Sequence, residues 1–264
     1  MKNLRTYGKS PFTVAVIHGG PGAGGEMAAV AFEISQSQGV LEPLQTEQTV
    51  NGQITELREV LVDQGDLPVI LIGHSWGAQL SFIFTAKNPA LVKKLILVSS
   101  GVFDYTYALG IMNTRLNRLS HKDKTAIKKL VARLDDPRSG NKNEIFGEFG
   151  KIINKADSFD PLSCEYPQVE YRYDIYEKVW KEVQELRRSG DLVALGKYIT
   201  CPVVAIHGDY DPHPADGVRI PLLSVIKKFK FILLKKCGHR PWLERYARDK
   251  FYKIIKEELN CYDM

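Results

Sequence analysis

Long apolar runs are missing from this chain. No stretch nears the ~20 residues needed to span a bilayer, so no membrane partner is expected. The first residues carry Lys2 and Arg5 but no apolar segment before Pro11, so a secretory leader is not expected either. Cysteine is scarce: Cys164, Cys201, Cys237 and Cys261 are the only four. None sits in a C-x-x-C pair and the spacings are wide, which argues against a zinc site or a disulfide framework and for a reduced, cytoplasmic setting. Excess charge of one sign is small, at a formal +5, and no basic stripe interleaved with aromatics appears, so nucleic acid is not expected as a partner. The densest basic run, KKFKFILLKK (227–236), places lysines around an apolar centre and reads as a strand with solvated ends. Internal repeats and low-complexity tracts are absent. No glycine cluster fits G-x-x-x-x-G-K-S/T, which removes the P-loop phosphate cradle; no cofactor is expected.

What remains is ordinary globular composition. The 264 residues are 44% apolar and 25% charged, enough for one large domain with an inserted subdomain. FTVAVI (12–17), GVLEPL (39–44), VILIG (69–73), KLILVSS (94–100), CPVVAIHGD (201–209) and KFILL (230–234) read as strands. Helices are expected over 24–38, over 54–65 with Ile54, Leu57, Leu61 and Val62 on one face, over 76–88 and over 242–259. Strands that are apolar throughout and alternate with helices imply a parallel sheet covered on both faces. Residues 103–196 lack such strand runs and look helical and charged; about 90 residues exceed what one crossover needs, so they read as a helical insertion. The expected division is a core of 1–102 and 197–264 with a helical cap of 103–196. Val179, Val183 and Leu186 lie at helical spacing there, and their apolar face should lie over the carboxyl end of the sheet.

The chemistry is written at Gly73-His74-Ser75-Trp76-Gly77, between a strand and a helix. G-x-S-x-G in that setting is a nucleophile elbow, a sharp turn that exposes a serine at the carboxyl end of the sheet. A bare serine hydroxyl needs a base, and in this arrangement acid and histidine follow the serine in chain order. Among His18, His74, His121, His207, His213 and His239, only His239 lies on a loop between the last strand and the last helix. The acid is expected in HGDYDPHP (207–214), at Asp211, with Asp209 and Asp104 as alternatives. Two backbone donors would complete an oxyanion hole: Trp76, after the nucleophile, and Gly20 in His18-Gly19-Gly20-Pro21-Gly22, where Pro21 has no N–H. A metal on Asp209, Asp211 and His213 is disfavoured, because no further ligands accompany them.

In order, HGGPG, GHSWG, GDYDP and CGHRPW resemble the motifs of the α/β-hydrolase superfamily, and most of all its prolyl-iminopeptidase-like branch with related small esterases. The resemblance covers 12–101 and 201–259. It implies an α/β-hydrolase fold whose helical cap is inserted after the sixth strand, and a Ser-His-Asp hydrolase acting on a small-molecule ester, amide or peptide. Two departures stand out. Only eleven residues precede Phe12, so the N-terminal hairpin is reduced or absent, and GVLEPLQTEQTVNGQ (39–53) replaces a D-x-R-G-x-G-x-S loop. An aminopeptidase would also need acids around a free amine, for which the cap offers Glu144, Glu148, Glu165 and Glu170. A non-catalytic ligand-binding protein on the same fold is the alternative function, although none of the catalytic positions is missing.

Overall fold

The structure, a computed structural model, describes residues 3–163 and 169–261. In chain order the first half runs β1 (Leu4–Tyr7), β2 (Phe12–Ile17), β3 (Ala23–Gly24), α1 (Ala28–Ile34), β4 (Gly39–Pro43), α2 (Val50–Gln64), β5 (Val69–His74), α3 (Trp76–Lys87) and β6 (Val92–Val98). Then follow α4 (Ile111–Arg118), α5 (His121–Asp135), α6 (Lys142–Asp157), β7 (Glu170–Tyr171), α7 (Tyr173–Ser189) and α8 (Asp191–Ala194). The chain closes with β8 (Val203–Gly208), α9 (Asp216–Val225), β9 (Phe229–Leu234) and α10 (Arg248–Asn260).

Seven strands form one sheet in the order β1-β4-β2-β5-β6-β8-β9. All neighbours are parallel except β1, which runs antiparallel to β4 from Leu4↔Pro43 to Tyr7↔Val40. The sheet edge is thus a single short strand, which sequence reading did not find. Four residues of mixed polarity carry no period of their own, and the distant partner β4 defines them.

Side-chain alternation divides the core. Leu71, Leu95 and Ala205 face α2, α3 and α9, while Ile70, Ile72, Ile96 and Ile206 face α1 and α10. Both faces are covered, so the central strands are apolar throughout. Three helix boundaries differ from expectation. Gly25, at φ 88°, delays α1 to Ala28, and that helix already ends at Ile34. Thr49 caps α2 by accepting from the Gly52 amide, so that helix starts at Val50. The last helix begins only at Arg248, because the buried Glu244 carboxylate accepts from the Phe159, Asp160 and Gly238 amides and pins 238–244 as a loop.

Helices α4 to α7 follow β6. α7 buries Ile175, Val179 and Val183 in the same core as β5 and β6, and α5 packs on α6 around Leu130, Leu134, Ile145 and Phe146. Residue pairs Ala23↔Tyr171 and Gly24↔Glu170 join β3 to β7, tying this layer to the glycine loop at the carboxyl end of β2. The two ends of the 103–196 segment belong to the core beneath: Phe103 meets Phe82 edge to face, and Leu192 is fully buried.

Candidate active site

Close packing explains the glycines around Ser75. A Cβ on Gly73 would lie 2.3 Å from the Gly77 carbonyl oxygen, and one on Gly77 would lie 2.2 Å from that of Ile17. Strand, turn and helix therefore touch through backbone alone. Ser75 itself sits at φ 54°, ψ −115°, a region that costs a non-glycine residue ~1–3 kcal/mol. Its amide donates to the Val98 carbonyl at 3.1 Å, which anchors the turn to β6.

His239, on the loop after β9, brings Nε2 to 3.0 Å from Ser75 Oγ. Its Nδ1–H donates to Asp211 Oδ2 at 2.7 Å, from the loop after β8. The carboxylate assigns the tautomer, leaving the Nε2 lone pair toward the serine hydroxyl. The chain positions of Ser75, Asp211 and His239 are far apart, and the parallel sheet joins their loops at one rim. Asp209 instead accepts from the Cys237 amide at 3.2 Å, and Asp104 caps its own turn through Thr106. Neither touches His239.

Several partners escaped sequence reading. His213, which lies in the expected acid loop, donates its backbone N–H and its Nδ1–H to Asp211 Oδ1, at 2.9 and 2.8 Å. Its ring lies 4.7 Å from that of His239. His74 donates Nε2–H to the His239 carbonyl at 2.9 Å, and its Nδ1 faces Glu26 Oε2 at 3.1 Å. Arg115 grips Asp157 with two bonds of 2.7 Å, and the Asp157 carbonyl receives the His239 amide at 2.8 Å. The one local signal was the i, i+2 spacing of Asp211 and His213; the other pairs join distant segments. His18 and His207 bond to backbone groups near their own strand ends, and His121 is exposed.

Burial by itself would raise the Asp211 carboxyl, but the facing His239, His207 and His213 imidazoles outweigh it and hold the group well below the usual carboxylate range. Burial opposes charge on His239 too, yet the Asp211 carboxylate wins and raises that imidazole above its ordinary value. For His213 burial prevails and pushes it down to about 4, so it is neutral at pH 7.

Gly19 lies against Ser75, where a Cβ on it would be 3.0 Å from the Ser75 Cβ, and Gly20 adopts φ 114°. Trp76 opens α3, where amides have no intrahelical acceptor. Neither the Gly20 nor the Trp76 amide donates in the turn and loop hydrogen bonds of the described residues. Asp211, His213 and His239 bring potential ligand atoms within 4.8 Å of one another. Their oxygens and Nδ1 atoms are spent on one another and His239 Nε2 on Ser75, so the donor set does not suit a resident metal.

Ser75, Gly20 and His239 open into a cavity of about 160 Å³, roofed by Phe146, Phe149, Tyr171, Tyr176 and Trp180. Of the expected cap acids that fall within the described residues, none lines it. Glu144 is exposed, Glu148 pairs with Arg133, Glu170 pairs with Arg5, and Glu165 lies outside the described residues. The aromatic stretch YPQVEYRYDIY (166–176) contributes Tyr171 and Tyr176; its residues 166–168 also lie outside the described residues.

A family model described as "Alpha/beta hydrolase family" matches residues 16–250. A proline iminopeptidase of Saccharolobus solfataricus is 23% identical over 225 residues, covering 79% of this chain and 68% of that protein. One from Heyndrickxia coagulans is 22% identical over 223 residues, covering 79% of this chain and 71% of that protein. The crystal structure of VinJ superposes with a TM-score of 0.68 at 18% identity, covering 97% of this chain and 93% of that one, a likeness of fold.

Proposed function

The chain belongs to the alpha/beta hydrolase family, and from that premise we propose that it is a serine hydrolase cleaving a small ester, amide or peptide through an acyl-enzyme. The observation that carries the reading is the unbroken relay from Ser75 Oγ to His239 Nε2 at 3.0 Å and from His239 Nδ1 to Asp211 at 2.7 Å, opening into a cavity. Ser75 Oγ bonds to the substrate carbonyl carbon as His239 Nε2 takes its proton. The oxyanion accepts from the Gly20 and Trp76 amides. His239 then returns the proton to the leaving oxygen or nitrogen as that bond breaks. Water repeats the sequence, releasing the acid and restoring Ser75. Asp211 holds the tautomer and stabilises the imidazolium.

Helices α4 to α7 act as the cap that shapes the acyl pocket. With Glu144, Glu148 and Glu170 outside the cavity, and with the one described cap acid that lines it, Asp157, held by Arg115, this cap leaves no unpaired described acid for a free amine, which favours esters and uncharged amides over N-terminal peptides. Cys201, Cys237 and Cys261 are free thiols, in keeping with a reducing, cytoplasmic setting. A fluorophosphonate probe should label Ser75 covalently, and Ser75→Ala should abolish the labelling. Labelling that survives the substitution refutes the assignment.

A further inference from the structure

The charged groups in the Ser75 cavity are unequally committed. Besides the catalytic histidine and neutral His213, they are Glu26, Arg115, Asp157 and Arg240. Arg115 and Asp157 neutralise each other through their two-bond contact. Glu26 faces His74; burial would raise its carboxyl, but His74 outweighs burial, and Arg240 adds to the effect, bringing it down to about 2. Arg240 stands apart. Its side chain makes no hydrogen bond and no ion pair within the described residues, Glu26 included, yet it lines the cavity and is only part-exposed. Its place is fixed, since it follows His239 directly and its carbonyl accepts from the Leu243 amide at 2.9 Å.

The neutral groups lean the same way. Tyr171 and Tyr176 line the cavity, and their hydroxyls make no hydrogen bond within the described residues. Burial raises both hydroxyls, so they remain protonated donors. A guanidinium carries five N–H donors in a fork that matches a carboxylate. Removing such a group from bulk water without a partner is unfavourable, and an anionic ligand supplies the partner.

We infer that the substrate carries a carboxylate close to its scissile carbonyl, held by Arg240 with the tyrosine hydroxyls. The inference rests on the serine-hydrolase reading and narrows its substrate class. A cavity of about 160 Å³ sets the scale at a short chain, such as a half-ester of a four- to six-carbon dicarboxylic acid. A substrate bearing an ammonium would instead meet Arg240 as a repulsive neighbour.

The test compares substrates matched in size. On the acyl side these are monomethyl glutarate, methyl valerate and methyl 4-aminobutyrate; on the leaving-group side, 4-acetoxybenzoate and 4-acetoxybenzamide. The carboxylate compound of at least one set should exceed its neutral partner in kcat/KM by about tenfold or more, the usual yield of a charge-assisted contact. Arg240→Gln should bring that ratio near one, and Arg240→Lys should restore part of it. In parallel, glutarate should protect Ser75 from the fluorophosphonate at lower concentration than glutaramide does. This comparison needs neither a turned-over ester nor a folded variant. Neutral compounds equal or better in both sets, a preference for the ammonium ester, or equal protection by glutarate and glutaramide would each overturn the inference while leaving the nucleophile assignment intact. Failure of the wild-type protein to be labelled at all would overturn both.

Discussion

Replacing Asp211 by asparagine exchanges one carboxylate oxygen for an NH2 group and preserves the side chain's size. Three donors now converge on this carboxylate. The His213 backbone and Nδ1 use Oδ1, and His239 Nδ1 uses Oδ2. Asparagine offers a single acceptor, so one imidazole must turn or change tautomer. With Oδ1 kept by His213, His239 faces an NH2 donor, moves its proton to Nε2 and can no longer accept from Ser75. The expected loss is ~10³–10⁴-fold in the rate of fluorophosphonate labelling and in kcat. The pH dependence carries a second signature. His239 must be neutral to act, and Asp211 holds it above the ordinary 6.5, so wild-type kcat/KM should fall as pH drops through a midpoint above that value. Removing the carboxylate leaves burial in charge, which disfavours the imidazolium, so residual activity should show an acid limb shifted to lower pH. Labelling and ester hydrolysis followed across pH 5–9 read both effects, where the neutral-pH window is that of an ordinary histidine at ~6.5. A loss below tenfold, or an acid limb that stays in place, would refute the role assigned to Asp211.

Two further substitutions probe other layers. Phe149→Ala widens the cavity roof without touching the relay, and should raise the preference for longer acyl chains by about tenfold while leaving the labelling rate of Ser75 little changed; an unchanged chain-length profile would count against α6 as a pocket wall. Lys94→Ala removes a buried ammonium that donates to Glu258 Oε2 and to the Glu258 and Cys261 carbonyls at the C-terminal end of α10. Because Lys230 remains 2.7 Å from Glu258, the expected cost is about 2 kcal/mol in urea unfolding, less than for a fully orphaned buried charge; a cost below about 0.5 kcal/mol would show that the pair contributes little.

The elbow was legible in the sequence because its cause is local. Glycines at 73 and 77 are required within a few residues of the strained serine, by contacts between backbones adjacent in the chain or in the sheet. The order of Ser75, Asp211 and His239 was legible for a related reason: each stands at a strand's carboxyl end, and a parallel sheet gathers such ends on one rim. The buried strands declared themselves through apolar runs. What the tertiary structure alone decided are the contacts that join segments carrying no mutual signal. Glu26 and His74 are 48 residues apart, and Arg115 and Asp157 are 42 apart. Neither pair follows a period or a motif, so only packing of the segment before α1 against the end of β5, and of α4 on α6, brings them together. The edge strand β1 exists because β4 offers it a ladder. Arg240 reads as an ordinary basic residue after a histidine; that its side chain is left unpaired among the described residues, in the cavity beside Ser75, follows from where every other charge in the cavity found its partner.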